Sequence, residues 1–134
     1  MKMHLNLATR DLGASVAFYS TLLGATPAKT LADYALFVTE QPGLELALDL
    51  DAEAQAAPGQ HFGLVVDSSD AVEAQIARLE RAGFATKVER EDTCCYALQT
   101  KVWASDPEGR RWETYVVHAD TESRDDENTA CCSA

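Results

Sequence analysis

The stretch His61-Phe62-Gly63-Leu64-Val65-Val66 decides the fold, because it begins a pattern that the chain has already used once. Every second residue of this stretch is large and apolar, which is typical of a strand with one buried face. Near the N-terminus, Met3-His4-Leu5-Asn6-Leu7-Ala8 alternates in the same way. His4 and His61 therefore hold equivalent positions near the starts of two predicted strands, 57 residues apart along the chain.

Each predicted strand is followed by an amphipathic helix that stops at a glycine. The first helix is predicted over 12–23, between the N-cap candidate Asp11 and Gly24, and the second over about 70–81, just before Gly83. Shorter strand candidates follow the helices, at about 34–38, 44–50, 86–89, 96–105 and 112–117. The order and spacing of these elements indicate a tandem repeat of one strand–helix–strands unit.

The repeat predicts an α+β architecture. We expect a single domain over residues 1–118, with repeat units of about 1–55 and 59–118. Asp106-Pro107-Glu108-Gly109 is expected to form a turn between the last two strands. Residues 119–134 are rich in acids and contain no large apolar side chain, so they predict a disordered acidic tail.

The charge of the chain limits its classes of partner. Asp and Glu outnumber Lys and Arg by 22 to 11, for a formal net charge of −11. This excess argues against nucleic acid and against an anionic membrane surface, because both are bound through clustered basic residues. No apolar run is long enough to span a bilayer, and no secretory signal is recognisable, so we expect a cytoplasmic protein.

Three residues on predicted strands suggest a metal site: His4, His61 and Glu113. Two imidazoles and a carboxylate from separate strands can hold one divalent ion and leave positions open for substrate, an arrangement suited to Fe(II). Each of them alone is more often an ordinary polar strand residue. Glu45 is either a fourth ligand or a carboxylate that faces solvent, and His118, which has no equivalent in the other repeat, is expected at the surface.

The four cysteines form two adjacent pairs, Cys94-Cys95 and Cys131-Cys132. Neighbouring cysteines close too small a loop to stabilise a fold, so thiolate chemistry is favoured over a disulfide framework. Thiolates select soft partners such as trivalent arsenic or Cd(II). Because consecutive side chains of a strand point to opposite faces, both thiols can hold one atom only where the backbone leaves the strand, so we expect Cys94 and Cys95 on a mobile loop. The alternative is that Cys94 or Cys95 is simply a small buried residue, and that Cys131-Cys132 occur by chance.

Residues 3–117 resemble the vicinal oxygen chelate superfamily, which includes glyoxalase I, extradiol dioxygenases, fosfomycin-resistance enzymes and bleomycin-binding proteins. The resemblance rests on the paired strand–helix–strand units, His4, His61, and the turn that leads to Trp112-Glu113. Within the superfamily, Thr93-Cys94-Cys95-Tyr96-Ala97 and Lys101-Val102-Trp103 are similar to the group of organoarsenical C–As lyases and cadmium-induced proteins.

This resemblance implies two tandem βαβββ modules that form a curved mixed sheet around a metal site. It implies that His4, His61 and Glu113 bind Fe(II), with Mn(II), Ni(II), Co(II) or Zn(II) as alternatives, and that dioxygen is a cosubstrate. Cys94 and Cys95 would bind the arsenic atom of a trivalent methyl or aromatic arsenical. The expected activity is that of a nonheme iron, dioxygenase-type C–As lyase that releases arsenite.

Two other functions remain open at this point. The first is a resistance protein that binds cadmium or arsenite without turnover, and the second is a glyoxalase- or dioxygenase-like metalloenzyme of the same fold. The expected partner is a small organoarsenical, and a homodimer is an assembly open to this fold.

Overall fold

The structure is a computed structural model, and it describes residues 1–125. The first repeat contains β1 (Met3–Thr9), α1 (Leu12–Leu23), β2 (Lys29–Thr30), β3 (Tyr34–Thr39) and β4 (Leu44–Leu50). The second contains β5 (His61–Val65), α2 (Ser69–Arg81), β6 (Lys87–Cys94), β7 (Ala97–Ser105) and β8 (Arg111–Asp120). The tandem βαβββ order that the family resemblance implies is therefore confirmed, and it includes the short strand β2, which was not among the strand candidates.

Each repeat forms a four-stranded mixed sheet with the same topology. The strand orders are β1-β4-β3-β2 and β5-β8-β7-β6. In each sheet the first strand pairs in parallel with the last, which places His4 opposite Glu45 and Gly63 opposite Glu113. The pairs β2–β3, β3–β4 and β6–β7 are antiparallel. The two sheets thus share one strand order and one parallel pairing of first and last strands, whereas His61, the counterpart of His4, lies opposite Arg111.

Helix α1 begins and ends where its predicted caps Asp11 and Gly24 lie, whereas α2 begins after Ser68, which was not predicted as a cap, and has Ala82 as its C-cap. Asp11 accepts a hydrogen bond from the Ala14 N–H over 2.9 Å, and Ser68 accepts one from the Ala71 N–H over 3.2 Å. Gly24 ends the first helix with a φ of 61°, a left-handed conformation that glycine adopts at little cost. The start of α2 at Ser69 is one residue before the predicted position.

The chain divides into two compact units that follow the repeats closely. The first comprises Met1–Ala57 together with Ser105–Arg110, and the second comprises Pro58–Ala104 together with the chain from Arg111 onward. The predicted turn at 106–109 exists, with a 2.9 Å bond from the Gly109 N–H to the Asp106 carbonyl. This turn belongs to the first unit, where Tyr19 donates a hydrogen bond to Asp106 over 2.7 Å.

Strands β6 and β8 extend further than predicted. Strand β6 runs on to Cys94 through a register shift between Glu89 and Asp92, where Glu91 has a φ of 52°. This bulge adds a residue and interrupts the alternation, which hid the second half of the strand. Strand β8 continues to Asp120, so the predicted disordered tail does not begin at residue 119. The rest of that tail, residues 126–134 with Cys131-Cys132, lies outside the described residues.

The two helices are too short to cross a bilayer, and no helix within residues 1–125 has the length and apolar character of a membrane span.

Candidate metal and thiol site

One face of the second sheet gathers most of the predicted site residues. Residues directly opposite each other on neighbouring strands share a face, and alternate residues along a strand return to it. Cys94 pairs with Ala97, which shares a face with Lys101 and Trp103. The Lys101 ammonium contacts Glu113, and the Trp103 ring lies 5.3 Å from the ring of His61. Cys94, His61 and Glu113 are therefore on the same side of this sheet.

The Glu113 carboxylate lies between two nitrogen groups. Its Oε1 atom is 3.7 Å from His61 Nε2, and its Oε2 atom accepts a 2.9 Å hydrogen bond from Lys101 Nζ. Only 11% of the Glu113 side chain and 3% of the Lys101 side chain are exposed, whereas His61 is a third exposed. An anionic carboxylate beside a reachable imidazole is a donor pair suited to a divalent cation.

Gly63 makes room for this carboxylate. It is directly opposite Glu113, and a Cβ atom built on it would lie 2.9 Å from Tyr115 Cε1 and 3.4 Å from Glu113 Oε1. Any side chain here would press on the carboxylate and on the aromatic ring. Burial, and then the negative charge of Glu113, raise the pKa of the Tyr115 hydroxyl above its ordinary value.

The two predicted arsenic ligands lie at a tight hairpin turn rather than on a long loop. Cys94 ends strand β6, while Cys95 and Tyr96 form the turn with positive φ angles of 52° and 64°. A two-residue hairpin with two positive φ angles normally selects Asn and Gly, so this backbone is strained. Cys94 is 1% exposed and Tyr96 is 52% exposed, so the turn has one buried end and one accessible end.

The turn brings both sulfur atoms to one place. The Sγ atoms of Cys94 and Cys95 lie 3.6 Å apart, because the backbone leaves the strand at Cys95. Two sulfurs that each lie about 2.3 Å from one thiophilic ion, at an angle of about 100–110°, are about 3.5–3.8 Å apart. The sequence-based expectation that Cys94 itself lies on a loop was wrong, but the backbone does leave the strand between the two cysteines.

Both cysteines of this turn are disulfide-bonded in the structure. They are not bonded to each other, since their sulfurs are 3.6 Å apart and a disulfide bond is about 2.05 Å long. The sequence-based preference for free thiols at Cys94 and Cys95 thus does not match this structure.

Gln99 ties the turn to strand β7. Its side-chain amide donates a buried 2.8 Å hydrogen bond to the Cys94 carbonyl. Lys101 lies four residue steps along the extended strand from Ala97, which is opposite Cys94, and four steps correspond to about 13 Å. The thiols and the Glu113 carboxylate therefore lie on one face but at different levels of it.

The first unit holds a separate imidazole–carboxylate pair. His4 Nδ1 lies 3.5 Å from Glu45 Oε2, and both side chains are largely exposed. Across residues 1–125 no three His, Cys, Asp or Glu side chains are gathered closely enough to hold a metal ion. The structure thus shows the pairs His61–Glu113 and His4–Glu45, and the assignment of His4 to a shared metal remains a prediction.

Lys101 and Gly63 both adjoin Glu113, and neither was predicted as a site residue. In the sequence Lys101 is part of the Lys101-Val102-Trp103 motif, and a lysine in the mostly apolar run of β7 signals a buried counter-ion. A glycine inside a strand signals a close approach by another group, which here is Glu113. His118 is exposed, as predicted, and its Nε2 atom lies 2.9 Å from the Thr100 hydroxyl.

Known proteins resemble the chain over nearly its whole length. The model of the Glyoxalase/Bleomycin resistance protein/Dioxygenase superfamily matches residues 3–114. The trivalent organoarsenical cleaving enzyme of Thermomonospora curvata is 42% identical over 134 residues, covering 98% of this chain and 88% of the relative. The cadmium-induced protein CadI of Mycobacterium tuberculosis is 41% identical over 141 residues, covering 98% of this chain and 92% of the relative.

A solved structure shows the same fold. The glyoxalase/bleomycin resistance protein/dioxygenase of Alicyclobacillus acidocaldarius superposes with a TM-score of 0.68 at 22% identity, over 89% of this chain and 92% of that one.

Proposed function

Because the chain belongs to the Glyoxalase/Bleomycin resistance protein/Dioxygenase superfamily, we propose that it cleaves the carbon–arsenic bond of trivalent methyl or aromatic arsenicals and releases arsenite, with Fe(II) and dioxygen. The observation that carries this proposal is the 3.6 Å spacing of the Cys94 and Cys95 sulfurs, which suits two thiolates on one arsenic atom. The similarity to the Thermomonospora curvata enzyme supports the same substrate class.

The cysteine turn would act as the substrate clamp once its thiols are reduced. A monoalkyl arsenical has two exchangeable hydroxyls, and each leaves as water when a thiol of Cys94 or Cys95 replaces it. The exposed side of the turn at Tyr96 gives the arsenical access. Clamping through two bonds fixes the direction of the remaining As–C bond and turns the next step into a positioned reaction.

The residues of the second sheet fit a divalent cation. His61 and Glu113 face each other, and Gly63 leaves space for the carboxylate. We assign His4, His61 and Glu113 as the metal ligands. Fe(II) would supply the activation of dioxygen when bound. Lys101 would hold Glu113 in its orientation, because its ammonium contacts one carboxylate oxygen and leaves the other toward His61.

The reaction balances without an external reductant for a methyl substrate. Methylarsenite and one dioxygen contain the same atoms as arsenite and formaldehyde together, so both oxygen atoms can end in the products. The approach of clamp and metal requires a shift of the strained turn, because about 13 Å of strand separates their levels in the sheet. Strained residues at positions 95 and 96 are consistent with a segment that has a second arrangement.

The test is arsenite release from methylarsenite by reduced, Fe(II)-loaded protein under air and under argon. We expect release only in air, with formaldehyde formed in equal amount. The variant His61→Ala should lose activity, while His118→Ala, a histidine on the exposed end of β8, should retain it. Unchanged release by Cys94→Ser/Cys95→Ser would exclude the proposed clamp, and release under argon would exclude the use of dioxygen.

A second candidate is a cadmium- or arsenite-binding protein without turnover, which the 41% identity to CadI favours. It predicts stoichiometric capture of Cd(II) that survives His61→Ala, with no arsenite released from methylarsenite. Cd(II) capture by His61→Ala and arsenite release by the wild type therefore distinguish the two candidate functions.

A further inference from the structure

Glu89 is a buried carboxylate of the second sheet that the proposed function does not use. Its side chain is 7% exposed, and its Oε1 atom lies 2.9 Å from Lys87 Nζ. Its other oxygen, Oε2, is buried and has no hydrogen-bond partner within residues 1–125. Buried polar atoms are nearly always hydrogen-bonded, because an unpaired one loses its hydration without compensation. This oxygen is therefore a place where a donor can bind with a gain in free energy.

A donor for this oxygen lies directly across the sheet. Glu89 on β6 is opposite Lys101 on β7, in the last regular pair before the bulge. Opposite residues share a face and have Cβ atoms about 4.5–5.5 Å apart, so the long lysine side chain can reach its neighbour on β6. In the structure the Lys101 ammonium donates instead to Glu113 Oε2 over 2.9 Å, on the strand at the other side of β7. Lys101 thus lies between two buried carboxylates and bonds to one of them.

Metal binding would place two positive charges on the same carboxylate. A divalent cation held by His61 and Glu113 would stand beside the Lys101 ammonium, because each of them is bound by an oxygen of Glu113. Like charges this close repel each other strongly where water is largely excluded. Movement of the ammonium to Glu89 relieves the repulsion and keeps the lysine paired, whereas a buried ammonium without a partner is costly.

We propose that Glu89 is a positioning residue that receives the Lys101 ammonium when a divalent cation occupies His61 and Glu113. Lys101 then has two positions, on Glu113 in the metal-free protein and on Glu89 in the metal-loaded protein. The exchange moves hydrogen bonds only, with no proton transfer and no change of oxidation state. It rests on the metal site of the proposed function, but it does not require cleavage of a C–As bond.

The test is a double-mutant cycle of Mn(II) affinity, measured by titration without dioxygen. Glu89→Gln keeps the shape of the side chain and removes its charge, so Lys101 stays on Glu113 and Mn(II) should bind about tenfold or more weakly. Lys101→Met removes the need for a second acceptor, so Lys101→Met/Glu89→Gln should bind Mn(II) as Lys101→Met does. An equal loss in both backgrounds would overturn the proposal, because a general effect of charge or packing does not depend on the lysine. Equal affinity of Glu89→Gln and wild type would overturn it as well.

Two further variants separate the role of this carboxylate from an effect of charge elsewhere on the strand. Glu89→Asp keeps the negative charge and should retain more of the Mn(II) affinity than Glu89→Gln. Glu91→Gln removes an exposed carboxylate of the same strand and is the matched control, which should bind Mn(II) as the wild type does. Equal losses in Glu91→Gln and Glu89→Gln would overturn the specific role of Glu89.

A crystal structure of the Mn(II)-loaded protein tests the geometry directly. Lys101 Nζ should lie about 3 Å from Glu89 Oε2, and an ammonium that still donates to Glu113 would overturn the proposal. Arsenite release is assayed on the same variants loaded with Fe(II). The expected pattern of Mn(II) affinities without arsenite release would support the two positions of Lys101 and reject the proposed function alone. Arsenite release by the wild type, with equal Mn(II) affinities of wild type and Glu89→Gln, would reject only the role of Glu89.

Discussion

The buried ion pair between Lys101 and Glu113 is the residue-level feature on which the second sheet's site depends. Two nearly buried groups of opposite charge offset each other's desolvation cost, and removal of one leaves the other charge buried without a partner. The lysine also lies 5.4 Å from the centre of the Trp103 ring and 5.6 Å from that of Tyr115, so aromatic faces hold it in place. A bound divalent cation would compete with this ammonium for the carboxylate.

Lys101→Met should lower the free energy of unfolding of the metal-free protein by about 3 kcal/mol. Mn(II), added without dioxygen, should then stabilise Lys101→Met more than wild type, because the cation replaces the lost ammonium as partner of Glu113. Thermal denaturation with and without Mn(II) measures both effects. Lys101→Met/Glu113→Gln, which removes both charges, should show no such gain, and a gain in this control would refute the explanation.

Gly63→Ala tests the space reserved for the carboxylate. The added methyl group would lie 2.9 Å from the Tyr115 ring, so we expect a loss of about 1–3 kcal/mol in unfolding free energy and weaker Mn(II) binding. Gly13→Ala, in helix α1, is the matched control, since the nearest atom to its added Cβ would be Asp11 Oδ1 at 3.7 Å. Denaturant unfolding and Mn(II) titration of Gly63→Ala would measure both effects. Mn(II) affinity equal to that of the wild type would show that the Glu113 carboxylate does not need the space beside Gly63.

At the scale of elements, the hairpin of β6 and β7 combines a regular ladder with a strained end. Its bulge at Glu91 and its turn at Cys95 and Tyr96 put three residues other than glycine at positive φ. Alternation along the strands sets the face of Cys94, but the turn brings the second sulfur beside the first. A regular strand would have put these sulfurs on opposite faces.

Tyr96→Gly should increase the unfolding free energy of the reduced protein by about 0.5–1 kcal/mol, because glycine adopts the left-handed conformation without the Cβ clash. The exposed ring contributes little burial to offset this gain. Val117→Gly, an exposed residue on strand β8, should instead lose stability, since glycine weakens a regular strand. Urea denaturation measures the unfolding free energy of both variants. A lower unfolding free energy for Tyr96→Gly than for the wild type would argue against strain at the turn.

At the scale of the whole molecule, each compact unit joins parts of the chain that are far apart in sequence. In the first unit, Glu108 accepts hydrogen bonds from the Arg10 N–H over 2.7 Å and from the Arg10 guanidinium over 2.9 Å. Arg110 donates to the Ala8 carbonyl over 2.8 Å. These bonds fasten the turn between β7 and β8 to the end of β1, which is why Ser105–Arg110 belongs with the first repeat.

Glu108→Gln should cost about 1 kcal/mol of stability at neutral pH. Burial raises the pKa of Glu108, but the hydrogen bonds from Arg10 outweigh burial and leave this pKa below its ordinary value of 4.5. A depressed folded-state pKa means that the contribution is present above the unfolded-state value and is lost as the pH falls through the folded-state value. Denaturant unfolding from pH 7 to pH 3 should therefore show wild type and variant converging in acid; a constant difference would contradict the linkage.

The sequence by itself determined the repeat, because strand alternation and helix periodicity are local signals, and so are the capping preferences of Asp11 and Gly24. It also placed His61 and Glu113 on the strands that hold them. Only the tertiary structure decided which groups meet, such as Lys101 with Glu113, Gly63 with Tyr115, and Thr121 with Tyr96 of the cysteine turn. These contacts join separate strands through sheet register and through a bulge, and no local pattern encodes either of them. The strained turn that brings the sulfurs of Cys94 and Cys95 together belongs to the same class, since its residues are not those that a hairpin turn would select.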